Sequence, residues 1–162
     1  MVTLEHLREI LSYEPSTGLF HWLQRTSRNT RAGQQAGCFD PAGYALIRIG
    51  GRNYLGHRLA WFYVHGRWPT AQIDHVNLVK SDNRLSNLRE ATASQNSGNK
   101  RALRNNKCGL KGVRFDPNRK KWRATLYTQG KPRHLGMFLT KEDAHHAYWR
   151  AAEASFGEFA RG

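Results

Sequence analysis

Cysteine is scarce in this 162-residue chain, which has only Cys38 and Cys108 and no CxxC pair. Two isolated thiols exclude a tetrathiolate zinc site and a disulfide framework. Long hydrophobic runs are also missing: no apolar stretch approaches the roughly 20 residues of a membrane-spanning helix, and the first residues lack a signal-peptide core. We therefore expect a soluble, cytoplasmic protein with free thiols.

Acidic residues are few as well, since 12 Asp and Glu oppose 26 Lys and Arg and leave a formal charge of +14. Basic side chains that neutralise phosphates release condensed counterions, so a polyanion is the leading expectation for a partner, with an anionic membrane surface as the alternative. Residues 97–162 contribute +10 of this charge. Between residues 97 and 139, 12 basic residues face one acid, Asp116. This imbalance is too one-sided for a surface that serves only solubility.

The first hundred residues predict a series of short helices and strands. Thr3 is expected to cap a helix with four apolar residues between positions 4 and 11 on one face, which a turn at 15–18 ends. The other predicted elements are a hairpin with strands at 44–49 and 53–55, a buried helix at 57–64, a strand at 72–75, a polar loop at 76–87 and a helix from 93 to about 100.

The remaining residues predict a basic linker and a compact βββα unit. Residues 99–111 are basic and have little apolar material, which is typical of an arm that lies on a charged partner. Strands at 113–115, 122–127 and 133–138 precede a helix that Thr140 caps. Polar and apolar residues alternate along the second strand, so one face packs on the helix and the other stays polar. Four aromatic residues are expected on the packed side: Phe115, Trp122, Phe138 and Tyr148.

The residues that could perform chemistry are Asp74 and His75, with Asn87 and Asn96 further along the chain. A neutral imidazole has an ordinary pKa of roughly 6.5, so near pH 7 it can take a proton from water. Carboxylate and amide oxygens are ligands that Mg²⁺ or Mn²⁺ accepts. Neighbours on a strand point to opposite faces, so the chain must bend after them, and we assign the fixing of that bend to Asn87. On spacing alone, a surface hydrogen-bonded pair and ordinary turn-forming asparagines remain the alternative.

The stretch from residue 57 to residue 96 contains several short motifs: HRLAW at 57–61, GRWP at 66–69, IDH at 73–75, NRL at 83–85, NLR at 87–89 and QN at 95–96. Together with YEPSTG at 13–18 and GY at 43–44, they resemble the phage HNH homing endonucleases, in the subgroup whose last motif residue is Asn. The resemblance covers about residues 10–100 and implies a ββα-metal nuclease fold. Where that family often has Gly-Asp after the catalytic histidine, this chain has Asn-Leu at 77–78, a departure that concerns loop shape more than the ligands.

The resemblance implies a role for each motif residue. His75 would be the general base, Asn87 the structural central residue of the catalytic motif, and Asp74 with Asn96 the ligands of one divalent metal, Mg²⁺ or Mn²⁺. The implied substrate is double-stranded DNA, and the implied setting is the cytoplasm of a bacterial host of a phage.

The C-terminal residues contain GVR at 112–114, WRA at 122–124, LGMF at 135–138 and an alanine-rich helix. This pattern is similar to the plant ethylene-response-factor domain of the APETALA type, which lays a three-stranded antiparallel sheet in the DNA major groove with one helix behind it. We therefore predict an α+β protein with a ββα-metal HNH nuclease domain and a small βββα domain. The predicted divisions are residues 1–56 packed on the nuclease core, 57–104 with the HNH motif, 105–111 as a basic linker and 112–162 as the DNA-binding domain.

The polar face of the C-terminal sheet is expected to contact DNA. Pro132 and His134 stand where the plant family has Arg and Trp, so the plant target sequence is not transferred. The complete set of predicted DNA contacts is Arg58, Lys100, Arg101, Arg104, Lys107, Lys111, Arg114, Lys120, Lys121, Arg123, Thr125, Tyr127, Lys131, Arg133 and His134.

The function expected from these residues is site-specific DNA cleavage by a nicking homing endonuclease, with no membrane and no obligatory protein partner. The alternative is a sequence-specific DNA-binding protein that does not cleave, such as a regulator that uses the same sheet. RNA binding is disfavoured because the predicted sheet lacks the aromatic stacking pair of an RNA-recognition motif.

Overall fold

The computed structural model describes residues 1–102 and 106–161, and the chain divides into two compact units, Met1–Glu90 and Ala91–Gly162. The described residues form small sheets and four α-helices, which confirms the predicted α+β class. No helix in this described part is both long and apolar enough to cross a membrane. Arg104 and the predicted division between residues 104 and 105 lie outside the described residues.

The first unit consists of short hairpins and two helices. Its elements in chain order are α1 Leu4–Ile10, β1 Leu11–Glu14, β2 Leu19–Trp22, β3 Cys38–Phe39, β4 Ala45–Ile49, β5 Arg52–Leu55, α2 Gly56–His65, β6 Gln72–His75 and β7 Leu88–Ala91. β1 pairs with β2, β6 pairs with β7, and β3, β4 and β5 form an antiparallel sheet. The predicted hairpin at 44–55, helix at 57–64 and strand at 72–75 are all present.

The chain leaves the first helix earlier than the sequence pattern predicts. The hydroxyl of Thr3 accepts a hydrogen bond from the amide of His6 at 3.2 Å, as expected for a cap. However, α1 ends at Ile10, and Leu11 begins β1. The side chain of Leu11 is fully buried although it belongs to this strand and not to the helix. The turn at 15–18 joins β1 to β2. The prediction was wrong here because apolar spacing indicates burial and does not by itself distinguish the end of a helix from the start of a strand.

The core of the first unit connects the elements that lead to β6. Leu7 on α1, Ile47 on β4 and Leu59 on α2 are each no more than 1% exposed and belong to one apolar cluster. Gly66 caps the C-terminal end of α2; it has a φ of 69°, and its amide donates a hydrogen bond to the carbonyl of Phe62. Glycine adopts this left-handed conformation without strain, so the chain can reverse toward β6.

The second unit contains the predicted βββα arrangement preceded by a short helix. Its elements are α3 Ala93–Asn99, β8 Val113–Asp116, β9 Lys121–Thr128, β10 Lys131–Phe138 and α4 Lys141–Phe156. The sheet is antiparallel with β9 in the centre, and Ala124 and Leu126 of β9 pack with Ala144 and Tyr148 of α4. The Thr92 side chain caps α3 in the predicted capping box.

One aromatic residue differs from its predicted placement in the second unit. Phe115 is 45% exposed, although its ring centroid lies 5.1 Å from that of Trp122. The register places Phe115 on the same face as the buried Val113, which is the predicted side, but the predicted burial of Phe115 is wrong. β8 is an edge strand of only four residues, and the side chain near its end extends past the apolar cluster of the sheet and α4.

Part of the predicted linker is packed against the βββα unit. Among its described residues, Cys108 and Leu110 are half-buried against the cluster that contains Val113. The side-chain amide of Asn106 donates to the carbonyl of Leu110 at 2.7 Å, and its Oδ1 accepts from the amide of Cys108 at 3.2 Å. Residues 106–111 thus form an ordered loop of the second unit, because their few apolar side chains extend its core.

Candidate active site

Asp74 and His75 are the last two residues of β6, and both are buried, with exposed fractions of 3% and 5%. Asp74 pairs with Arg89 on β7, whose Nε and Nη2 both lie 3.0 Å from Oδ2. Burying an unpaired carboxylate is costly, so Arg89 offsets part of the cost of burying Asp74. The chain turns directly after His75, since the amide of Leu78 donates to the carbonyl of His75 at 2.9 Å.

The imidazole of His75 is oriented by Asn83. Nε2 of His75 lies 3.2 Å from Oδ1 of Asn83, a residue that is itself 3% exposed. An amide oxygen only accepts, so Nε2 has the ring proton and Nδ1 has the basic lone pair. Burial lowers the pKa of His75 below its ordinary value, although the bond with Asn83 and the charge of Asp74 act in the opposite direction. The ring is therefore neutral near pH 7, which is the state that a general base requires.

Two more rings lie close to His75. His57 on α2 meets it edge-on, with ring centroids 5.1 Å apart, and the ring of Tyr44 lies 6.2 Å away. Burial lowers the pKa of His57 to about 3, with smaller effects from the charges of His75 and Arg58. Nδ1 of His57 is buried and has no hydrogen-bond partner among the residues that the structure describes. An unprotonated Nδ1 is thus the form that this position accommodates, because a buried donor without an acceptor is costly.

Asn87 fixes the loop between β6 and β7 at two points. Its Oδ1 accepts from the amide of Asn77 at 3.0 Å, and its Nδ2 donates to the carbonyl of Asp82 at 2.8 Å. Its own carbonyl accepts from the amide of Val76 at 2.9 Å. Asn87 therefore makes the predicted bonds to backbone groups of this loop. Leu78, at the point where the resembling family often has Gly-Asp, has a φ of 64°, a conformation that glycine adopts more readily.

Asn96 lies on α3 in the second unit, whereas Asp74 and His75 lie in the first. An ionised carboxylate offers about four acceptor positions, so the pair with Arg89 does not exhaust the capacity of Asp74 to bind a cation. A carboxylate and an amide oxygen fit the ligand preference of Mg²⁺ or Mn²⁺. Within the described residues, no group of three or more His, Cys, Asp or Glu side chains forms a metal-binding cluster. The predicted ligand pair, Asp74 and Asn96, is not a group of this kind because it has only one carboxylate and one amide. It therefore stays a prediction.

Several contacts of this site were not predicted from the sequence. Asn83, Arg89 and His57 each contact Asp74 or His75, although the sequence gives them no defined role. The available signal was their position inside the motifs NRL, NLR and HRLAW. Spacing alone does not indicate which atom such a residue binds, because the contacts join segments that are distant in sequence.

The outward face of the C-terminal sheet contains polar and basic side chains in rows across the strands. Arg114 lies directly opposite Arg123, and Thr125 lies opposite His134. Directly opposed residues share a face, and the residues of β9 between them, Ala124 included, are buried toward α4. The register therefore places five predicted DNA contacts away from the helix: Arg114, Arg123, Thr125, Tyr127 and His134.

The other predicted DNA contacts are distributed differently. Arg133 lies opposite the buried Leu126, so it does not share the face of His134, although it is exposed. Arg58, in the first unit, donates to the carbonyl of Pro69 at 3.4 Å. Six more predicted contacts are exposed: Lys100, Arg101, Lys107, Lys120, Lys121 and Lys131.

Lys111 differs from these exposed lysines. It is half-buried, and its ammonium donates a hydrogen bond to the carbonyl of Gly98. Burial, with a smaller effect from the charge of Arg161, lowers the pKa of Lys111 to about 8. Its ammonium therefore has a partner within the second unit, and its predicted contact with DNA stays a prediction.

Comparison with known proteins identifies a family to which part of the chain is similar. Residues 54–97 match the family described as HNH endonuclease, a stretch that includes α2, β6 and β7. Protein 3.8 of Escherichia phage T7 is 31% identical over 108 residues, which cover 65% of this chain and 87% of that protein. The uncharacterized HNH endonuclease L560 of Acanthamoeba polyphaga mimivirus is 31% identical over 120 residues, which cover 74% of this chain and 62% of that protein. No solved structure matches the chain significantly. The chain belongs to the HNH endonuclease family.

Proposed function

We propose that this protein is a site-specific, metal-dependent DNA endonuclease that acts as a nicking homing enzyme. The observation that supports this most is the buried Asp74–His75 pair, with the imidazole bonded to Asn83, inside the stretch that matches the HNH endonuclease family. A neutral histidine of fixed tautomer next to a hard oxygen ligand suits hydrolysis of a phosphodiester. The similarity to phage and giant-virus proteins supports a phage origin and action in the host cytoplasm.

In the proposed reaction, each side chain of the motif has one task. Nδ1 of His75 accepts a proton from the attacking water, while Asn83 keeps the other ring proton on Nε2. Asp74 and Asn96 are the proposed ligands of one Mg²⁺ or Mn²⁺. When bound, that cation would stabilise negative charge on the scissile phosphate and on the leaving 3′ oxygen. Asn87 keeps the loop after His75 in its shape, and the products have 5′-phosphate and 3′-hydroxyl ends.

The second unit is the proposed source of DNA affinity. The row formed by Arg114 and Arg123 on the outward face of its sheet supports contact with bases or phosphates, and the order of its strands agrees with an ethylene-response-factor-type domain. In the proposed organisation, residues 1–56 pack on the nuclease core, residues 57–104 contain the nuclease motif, and residues 112–162 bind DNA. The side chains of Lys100, Arg101 and Lys107, which are exposed, would neutralise backbone phosphates.

A single active site per chain favours cleavage of one strand. Incubation of supercoiled plasmid carrying a cognate site with protein and Mg²⁺ should therefore accumulate the open circular form before any linear form. Sequencing the ends produced on a phage or host genome library would give the target and the cut strand. If the protein shifts this DNA on a gel yet leaves it supercoiled, the protein is a DNA-binding protein without cleavage and the proposal is wrong.

The role of His75 is tested by His75→Ala, with His146→Ala as the matched control on the exposed surface of α4. His75→Ala should abolish cleavage and leave DNA binding and its salt dependence unchanged, whereas the control should cleave as wild type. Cleavage by His75→Ala at the wild-type rate would remove His75 as the base. Loss of both binding and cleavage would indicate a folding defect, which circular dichroism would detect.

A further inference from the structure

The short helix that contains Asn96 is fixed in the second unit by several contacts. α3 has only seven residues, and a helix of that length depends on packing for its stability. The amide of Gln129, in the turn between β9 and β10, donates to the hydroxyl of Ser94 at 3.2 Å. At the other end, a Cβ on Gly98 would lie 2.8 Å from ring atoms of Phe156 of α4. The helix therefore lies directly on the βββα unit at both ends.

Lys111 makes a further contact with α3. Its ammonium donates to the carbonyl of Gly98, in the last turn of the helix. The last carbonyls of a helix lack intrahelical partners and form the negative end of its dipole, so a cation bound there is favourable. Lys111 is half-buried, whereas Lys107, in the same loop, is exposed. A lysine that neutralises a phosphate needs its ammonium at the surface, and Lys111 uses its ammonium internally.

We propose that Lys111 is a positioning residue for Asn96. Lys111 binds the C-terminal end of α3 and so fixes the helix that presents the proposed metal ligand, and it does not bind a DNA phosphate. Gly98 is two residues from Asn96, so a displacement of this end of α3 also moves the backbone of Asn96. The link to metal binding rests on the proposed function, whereas the anchoring of α3 does not.

The test compares Lys111→Met with Lys107→Met in the full chain, because methionine keeps much of the side-chain volume and removes the charge. Binding to duplex DNA is measured without divalent metal over a range of salt concentrations. Lys111→Met should keep the wild-type slope of log Kd against log salt, whereas loss of one phosphate contact reduces that slope by about 0.9. Amide hydrogen exchange in residues 93–99 should be at least about tenfold faster in Lys111→Met and unchanged in Lys107→Met.

A third measurement links α3 to metal use. The Mn²⁺ concentration for half-maximal plasmid nicking should rise several-fold in Lys111→Met, with a smaller change in the rate at saturating Mn²⁺. Gly98→Ala provides an uncharged perturbation of the same end of the helix, and it should also accelerate exchange in residues 93–99 and raise the Mn²⁺ requirement without changing the salt slope.

The outcomes separate this inference from the nuclease proposal. A shallower salt slope with unchanged exchange in Lys111→Met would overturn the positioning role and make Lys111 a phosphate contact. Faster exchange with an unchanged Mn²⁺ requirement would overturn the link from α3 to Asn96 as a ligand. If wild-type protein does not nick DNA but Lys111→Met still accelerates exchange in α3, the anchoring is supported and the nuclease proposal is lost.

Discussion

Acidification should destabilise the protein because His57 takes up a proton when the chain unfolds. The ring is 6% exposed, and burial lowers its pKa from 6.5 to about 3. Between these two values the unfolded chain binds a proton that the folded chain does not, so the free energy of unfolding rises with pH in this interval. The contribution of His57 is complete above pH 6.5 and is lost progressively as the pH falls toward 3.

The two pKa values give a loss of about 2 kcal/mol between pH 7 and pH 5 from His57, because each pKa unit corresponds to about 1.36 kcal/mol. His75, whose pKa is also lowered by burial, acts in the same direction. The variant His57→Phe isolates the first contribution, since phenylalanine has a similar shape and does not titrate. Urea-induced unfolding of the full chain at both pH values measures the difference between wild type and variant.

Between pH 7 and pH 5, the free energy of unfolding of His57→Phe should fall by about 2 kcal/mol less than that of wild type. The matched control is His146→Phe, which replaces an exposed ring on α4 and should keep the wild-type pH dependence. An identical pH dependence of His57→Phe and wild type would refute the reasoning, because the buried ring would then not be the source of the proton uptake.

Three further substitutions test contacts around the candidate site by urea-induced unfolding. Gly18→Ala should lower the free energy of unfolding by about 3 kcal/mol or more, because the added Cβ would lie 2.3 Å from a backbone nitrogen of the loop between β6 and β7. Gly33 has a similar φ but lies in open space, so Gly33→Ala should lower the free energy of unfolding by only about 1 kcal/mol. Asn87→Ala should cost about 2 kcal/mol, because two backbone groups of the loop lose their partner. Arg89→Met should cost about 3 kcal/mol by leaving the charge of Asp74 buried without this cation, and the further change Asp74→Asn should recover part of that cost.

Each of these expectations has an outcome that contradicts it. Equal costs for Gly18→Ala and Gly33→Ala would mean that backbone strain alone accounts for both and that the close approach at Gly18 is unimportant. A cost below about 0.5 kcal/mol for Asn87→Ala would mean that water replaces its two bonds. Additive effects of Arg89→Met and Asp74→Asn would show that the two charges do not interact.

Elements with strong local signals could be predicted from the sequence. The box formed by Thr92 and Gln95 caps α3 as expected, and the Gly50-Gly51 pair lies in the turn between β4 and β5. These features depend on residues within a few positions of each other, so the sequence contains the whole interaction. The end of α1 was missed because the burial of Leu11 comes from the tertiary core, which spacing does not describe.

The motif residues could also be named from the sequence, but their partners could not. Asn83 bonds to His75 across eight positions, and Arg89 bonds to Asp74 across 15 positions of intervening loop and strand. Such contacts depend on how the loop folds back, and this in turn depends on the backbone bonds of Asn87. The half-buried position of Lys111 was missed for a similar reason, since its charge suggested a surface residue.

Burying polar side chains in the candidate site lowers the stability of the fold, and this indicates that the site is functional. Six polar or charged residues are buried in the described part of the chain, and five of these lie in the first unit at or beside the Asp74–His75 pair. Buried polar groups stabilise a fold less than well-packed apolar groups of similar volume, and a unit built from short hairpins has little stability to spare. A sequence selected for folding alone would place apolar residues at these positions. Their concentration around the Asp74–His75 pair is the expected result of selection for chemistry, because functional sites are where proteins depart from the rules that favour stability. The five residues are His57, Asp74, His75, Asn83 and Asn87.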